Sequence, residues 1–259
     1  MLTGILEIFK YRTLIQTLVL RELKSRYRGS VLGFLWSFLN PLFLMGVYTL
    51  VFSIYLRNPM EGYPAFLFCG LFPWLWFSTS IMHGAASIRG GGHLIKKVVF
   101  PAEILPIVAV LSNMLNFLLS LPILFLFLLI FKIPISLPIL LFPILLVIQF
   151  ILTTGLTFFL SALNVHLKDI EQILNNLLML TFFLTPILYP ATFIPEKYRD
   201  FFLILNPLFP LVTSYQDILF NGRLPNVIGL SYLFFISILV FFIGYSVFNK
   251  FRDTFAEEV

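Results

Sequence analysis

Charge is what this chain has least of. Aspartate, glutamate, lysine and arginine make up 11% of its 259 residues, where a soluble globular domain carries about a quarter. With 59% of residues hydrophobic, an ordinary soluble fold is excluded and an integral membrane protein is expected. Cysteine is nearly absent: the single Cys69 lies in an apolar run, which leaves no disulfide framework and no thiolate metal site. The three histidines, His83, His93 and His166, fall in three separate segments, and no pair has the i, i+4 spacing of a helical metal site. No GxxxxGK[ST] phosphate loop occurs; Gly90, Gly91 and Gly92 precede His93, but a glycine triplet without a strand before it reads as a turn. No metal, no cofactor and no catalytic residues are therefore expected in this chain.

Six stretches contain no aspartate, glutamate, lysine or arginine: 31–56, 62–88, 104–131, 133–167, 172–195 and 224–249. Each exceeds the roughly 20 helical residues that cross a hydrocarbon core. The expectation is an all-α integral membrane fold with six spans, near 31–56, 63–84, 104–131, 137–163, 172–189 and 226–249. Proton-coupled transporters and membrane-embedded hydrolases keep ionisable groups inside such spans, and secondary transporters need an intramembrane coupling site. Neither feature is visible, and the acids and histidines that a membrane-bound transferase would pair are scattered.

Where the charges do occur, they set topology. Of the 17 lysines and arginines, twelve fall in the N-terminal segment, the 89–97 and 164–171 loops and the C-terminus, and five fall on the other side. The positive-inside rule then makes both termini cytoplasmic. The net charge of +5 is read as membrane topology rather than nucleic-acid binding, because the basic residues cluster beside hydrophobic segments. Four of them, Arg21, Lys24, Arg26 and Arg28, stand with Glu22 just before Gly29, Ser30 and the first apolar stretch. A chain needs that abrupt change where it leaves the headgroup layer, since a lysine or arginine at the bilayer centre costs about 2.5–3.5 kcal/mol.

No cleavable signal peptide is expected, since Glu7, Lys10 and Arg12 interrupt the first twenty residues. At about 100° per residue, Ile5, Ile8, Tyr11, Ile15, Leu18 and Val19 share one face, with Thr3, Glu7, Lys10, Thr17, Arg21 and Lys24 opposite and Arg12 and Leu14 off the pattern. Residues 1–28 thus read as a cytoplasmic interfacial helix and basic segment touching membrane lipids, and 29–259 as the transmembrane domain. The apolar segment 201–216 carries Pro207 and Pro210 between charged residues. It suits an external re-entrant hairpin, near 191–219, better than a full crossing.

Aromatic residues are plentiful, at 17% with 32 phenylalanines. On a straight helical wheel Phe34, Tyr48, Phe52 and Tyr55 of the first span fall together, as do Asn175, Leu178, Phe182, Thr185 and Tyr189 of the fifth. An uncharged wall of rings and a few polar groups suits the C–H faces and hydroxyl rims of sugars. Helix packing, lipid contact or an interfacial aromatic belt would use the same residues, and both readings stay open. One chain has too few helices to enclose a wide path, so a homodimer with the path on its axis is expected.

Three stretches carry a family likeness: RELKSRYRGSVLGFLWSFLNPL at 21–42, LIKKVVFPAEILP at 94–106 and NPLFPLVTSYQDILFNG at 206–222. They resemble the membrane subunit of ABC-2-type polysaccharide exporters, which move O-antigen, capsule or teichoic acid chains, and most of all the O-antigen type. The resemblance implies a permease in a bacterial inner membrane, paired with two copies of a separate ATPase that binds ATP and magnesium, with a lipid-linked glycan as substrate. It also implies that His93, Leu94, Ile95, Lys96 and Lys97 form the contact to that ATPase, with a secondary one at His166, Lys168 and Asp169. Setting topology is the other role open to Lys96 and Lys97. The alternative functions are an ABC-2 permease for drugs or smaller lipids and a secondary transporter.

Overall fold

The structure is a computed structural model and describes residues 10–26, 28–55, 60–92, 101–167 and 169–258. All regular structure among them is helical. Helix α1 (Arg12–Arg26) precedes α2 (Trp36–Thr49), which continues as π-helical turns over Leu50–Tyr55. Then come α3 (Tyr63–Gly90), α4 (Ile104–Ile130), α5 (Phe142–His166) and α6 (Ile170–Leu184). Two short helices, α7 (Glu196–Leu205) and α8 (Leu208–Gln216), lead through a π-helical turn at Asp217–Asn221 to α9 (Val227–Phe251).

Five helical segments are long and apolar enough to cross a membrane: Trp36–Tyr55, Tyr63–Gly90, Ile104–Ile130, Leu137–His166 and Val227–Thr254. They fall on five of the six expected spans. On the remaining one, α6 is apolar but only 15 residues long, or about 22 Å at 1.5 Å per residue. The 191–219 segment holds two helices of 10 and 9 residues, each shorter than a crossing requires. Pro207 starts the second, and Asn206 fixes the elbow: its Oδ1 accepts from the Leu208 N–H at 3.0 Å and its Nδ2 donates to Thr185 Oγ1 at 2.8 Å.

Helix α3 is the centre of the bundle. It is apolar all round, the pattern of a helix enclosed on every side, and it packs on α4, α5, α6 and α8. Phe66, Phe68, Phe72 and Trp76 are buried. Helix α9 runs along α5 and the two touch through glycines: a methyl group on Gly244 would overlap the carbonyl of Gly155, and one on Gly155 would lie 2.5 Å from the Phe241 Cα. Small residues let backbones approach in this way within a membrane. By contrast α2 and α6 are peripheral; Ser37 and Pro41 are the buried residues of the first, Leu174 and Phe182 those of the second.

Helix α1 lies against α4. Val19 is buried with Ile104 and Val108, flanked by Tyr11, Leu14, Ile15, Leu18 and Leu23. Leu14, off the pattern on the expected wheel, belongs to this packed face. The expected wheel treats the segment as one straight helix, whereas the described helix starts at Arg12 after a turn at Tyr11. Ile5, Ile8, Thr3 and Glu7 lie outside the described residues.

Candidate functional site: a polar and aromatic cleft between peripheral and core helices

A cleft of about 470 Å³ opens between α2, α3 and α6. Tyr48 enters it from α2, Trp74, Thr79 and His83 from α3, and Asn175 and Phe182 from α6. The Tyr48 and Phe182 rings lie 5.8 Å apart and Trp74 sits 5.5 Å from Phe182, within the range of favourable aromatic pairs. Four residues of the two expected stripes, Tyr48, Asn175, Leu178 and Phe182, therefore line one cleft. The others are placed differently. Phe34 falls in the 3-10 turn Gly33–Leu35, and nothing of its side chain is described. Phe52 stacks on Tyr63 at 6.0 Å and Tyr55 is exposed. The straight wheel misaligns these positions because the segment runs as 3-10, then α, then π helix, each with a different angular step. Thr185 is fully buried; it donates to Thr181 O at 2.7 Å and holds the Asn206 elbow. Tyr189 donates to Phe183 O at 2.8 Å.

A second cleft, of about 250 Å³, lies across α2, between it, α3 and α4. Trp36, Asn40, Trp76, Asn113, Asn116 and Ser120 line it, so rings again alternate with neutral hydrogen-bonding groups. The Oδ1 of Asn116 is buried without a partner among the described residues. Asn113, Asn116 and Ser120 were legible in the sequence as polar residues three and four apart inside an apolar run, one face of a helix, but an aromatic search passes over them. Leu44, Leu75 and Thr79 border both clefts. Helix α2 thus stands as a lightly held partition between two grooves of rings and polar groups.

Arg26, where α1 ends, lines the second cleft and reaches His83 of the first. Its guanidinium donates to Asn113 Oδ1 at 2.8 Å and to Glu22 Oε1 at 3.0 Å, and Nη2 lies 3.0 Å from His83 Nδ1. A guanidinium has donors only, so Nδ1 accepts and the His83 ring carries its proton on Nε2. Arg26 therefore ties α1 to α3 and α4, a role that its place in a basic run does not reveal. Arg21, Lys24 and Arg28 are exposed.

At the same end the helix termini are stitched by polar links that the sequence reading missed. Asn164, fully buried, donates from Nδ2 to Ala85 O at 2.9 Å and to Glu171 Oε1 at 3.0 Å. Arg89 stands 3.7 Å from that carboxylate, so α3, α5 and α6 are joined. Glu103, 2% exposed, accepts from Arg252 at 3.1 Å while its Oε2 is buried with no partner among the described residues. This joins the start of α4 to the end of α9. His166 is exposed, with its ring 4.9 Å from Phe251 and Nε2 3.4 Å from Thr254 Oγ1. Asp169 is exposed just before α6. The expected contact His93, Leu94, Ile95, Lys96 and Lys97, and Lys168, lie outside the described residues. Among the described residues no three histidine, cysteine or acidic side chains gather as metal ligands do.

Comparison with known sequences bears on the same elements. The sequence model of the ABC-2 type transporter family matches residues 13–220, from α1 through both clefts to the π-helical turn. The chain is 44% identical to the O-antigen export system permease protein RfbA of Myxococcus xanthus over 98% of each chain. It is 37% identical to the protein of the same name from Klebsiella pneumoniae, over 92% of this chain and 91% of that one. The polysialic acid transport protein KpsM of Escherichia coli is 25% identical over 91% and 92% of the two chains. A helical chain whose apolar spans carry polar grooves, and whose sequence follows the family from its first helix almost to its last, belongs to the ABC-2 type transporter family.

Proposed function

We propose that this chain is the permease subunit of an ATP-driven exporter that moves lipid-linked polysaccharide of the O-antigen kind from the cytoplasm outward across a bacterial inner membrane. The observation that carries the reading is chemical. The two clefts beside α2 present rings, asparagines and hydroxyls, and the family relatives are named for O-antigen export and polysialic acid transport. Neutral hydrogen-bonding groups and aromatic faces can hold a sugar without the tight grip of fixed charges, so a polymer can advance step by step.

In this reading α6, though short, crosses as the fifth of six spans, with both termini cytoplasmic. The α7–α8 pair forms an external re-entrant hairpin, and α1 lies at the cytoplasmic interface. Two copies of the chain pair with α2 and α6 towards the axis; the light burial of both helices supports this, because each leaves an exposed apolar face beside the first cleft. Two ATPase subunits bind ATP and magnesium and engage residues 93–97, with His166, Lys168 and Asp169 beside them. Their closure moves α3 and α4 through the loop that joins them, and the stitched termini pass that motion to α5, α6 and α9.

The test is co-expression of the full chain with the ATPase encoded beside it, followed by purification and a cell-surface polysaccharide assay. The two should co-elute, and changing Lys96 and Lys97 to glutamate should abolish both co-elution and surface polymer. A chain that purifies alone and whose deletion leaves surface polymer unchanged would sink the proposal. Loss of small-molecule resistance in place of surface polymer would move the assignment to a drug permease.

A further inference from the structure

The most polar of the clefts described lies at the far end of the molecule and has no part in the reading above. It measures about 450 Å³ and is lined by Phe66, Thr192, Phe193, Gln216, Asp217 and Arg223, among others. Phe66 sits in the first turn of α3, whose other end carries Arg89. Some 23 residues at 1.5 Å each put this cleft about 35 Å from the stitched termini, on the outer side in the proposed orientation. Its volume falls within the usual range of ligand sites, about 300–1,000 Å³.

The side chains here are fixed in advance. Asp217 Oδ1 accepts from Asn221 Nδ2 at 2.9 Å and from Arg223 Nε at 2.8 Å, and the Arg223 N–H donates to the Asp217 carbonyl at 3.0 Å. Both side-chain bonds fall on one carboxylate oxygen. Oδ2 and the two terminal guanidinium nitrogens have no hydrogen-bond partner among the described residues. Asp217 opens the π-helical turn, a backbone form frequently found at functional sites. Gln216 is held by donating to Pro186 O at 2.8 Å. On the rim, Phe193 is 63% exposed in the 3-10 turn Ala191–Phe193 with Thr192 beside it.

We propose that this cleft is a glycan subsite at the outer mouth, which receives sugar units of the polymer as they leave the membrane. The inference rests on the polysaccharide-export reading. A carboxylate oxygen accepts from sugar hydroxyls, the guanidinium nitrogens donate to them, and the exposed Phe193 offers a ring to the C–H faces. The pair is neutral as a whole. A free phosphate finds its charge cancelled by Asp217, and a divalent cation finds one carboxylate already engaged by a guanidinium. A hydroxyl-rich neutral ligand meets complementary donors and acceptors without strong attraction, which suits a chain that must keep moving.

The test uses cells that export the polymer through the full chain and its ATPase, with polysaccharide labelled from radioactive glucose. A photoreactive benzoylphenylalanine replaces Phe193; a control chain carries it at Phe235, a residue 69% exposed on α9. Irradiation should attach labelled polymer at 193, as a high-mass ladder, and not at 235. Asp217→Asn should lower that yield about tenfold, as expected for loss of a charged hydrogen-bonding group, with chain abundance unchanged. Thr192→Val, at an exposed position, should lower it about threefold and covers the case in which Asp217→Asn does not fold. Export that depends on the chain with no adduct at 193 above the 235 control, or an adduct insensitive to both substitutions, overturns the subsite alone. Surface polymer that does not depend on the chain overturns the export reading itself.

Discussion

The buried carboxylate of Glu103 gives a sharp test of how the start of α4 and the end of α9 are held together. Replacing Arg252 with methionine keeps much of the side-chain stem and removes the charge that faces Glu103 Oε1 at 3.1 Å. Glu103 is 2% exposed and its Oε2 is already without a partner among the described residues, so the variant leaves an uncompensated charge. Breaking a fully buried pair costs about 3–5 kcal/mol, and a hydrogen bond to a charged group about 1.5–3 kcal/mol. Arg252 is 46% exposed on its side, and water can reach part of the gap, so the lower figure applies and about 2 kcal/mol is expected. At roughly 2–4 °C per kcal/mol for a chain of this size, Arg252→Met should lower the thermal midpoint of the detergent-solubilised protein by about 4–8 °C. Glu103→Leu combined with Arg252→Met removes both charges and should restore most of the loss, because apolar replacement of a buried pair is often neutral. If the pair also transmits motion between α4 and α9, the double variant recovers its stability and still exports poorly. A single Arg252→Met variant as stable as the parent, or a double variant as unstable as the single, would refute the argument.

Other outcomes follow from the same contacts. Gly244→Ala puts a methyl group against the Gly155 carbonyl, 2.8 Å from its carbon; overpacking of about 1–3 kcal/mol should appear as a midpoint lowered by about 5 °C, whereas Gly46→Ala, with open space around it, should change nothing. Asn164→Leu strands Ala85 O and one bond of Glu171, for about 1–3 kcal/mol, measurable by denaturant or heat. Asn175→Leu alters an exposed residue of the first cleft; stability should stay within about 0.5 kcal/mol while surface polysaccharide falls, and unchanged export would remove Asn175 from the path.

The class of the protein and most of its spans were legible in the sequence, because the cost of charge in hydrocarbon leaves a mark in any membrane chain. The apolar runs marked five membrane-length helices to within a few residues, and the proline-broken segment marked the short pair α7 and α8. Motif likeness pointed to the family, since the 21–42, 94–106 and 206–222 stretches are local in the chain. What the sequence left open depends on contacts between residues far apart in the chain. Tyr48 and Phe182 meet only because α2 and α6 both lie against α3, and Phe52 leaves their wall because the helix loosens into π turns at Leu50. Arg26 reads as a topology signal until α4 brings Asn113 to it across 87 positions, and Glu103 reads as a loop acid until Arg252 arrives from 149 positions away. Composition and periodicity are properties of single segments and fix which parts of the chain enter the membrane. Which polar groups face one another is decided by how the helices cross, and only the tertiary structure decided that.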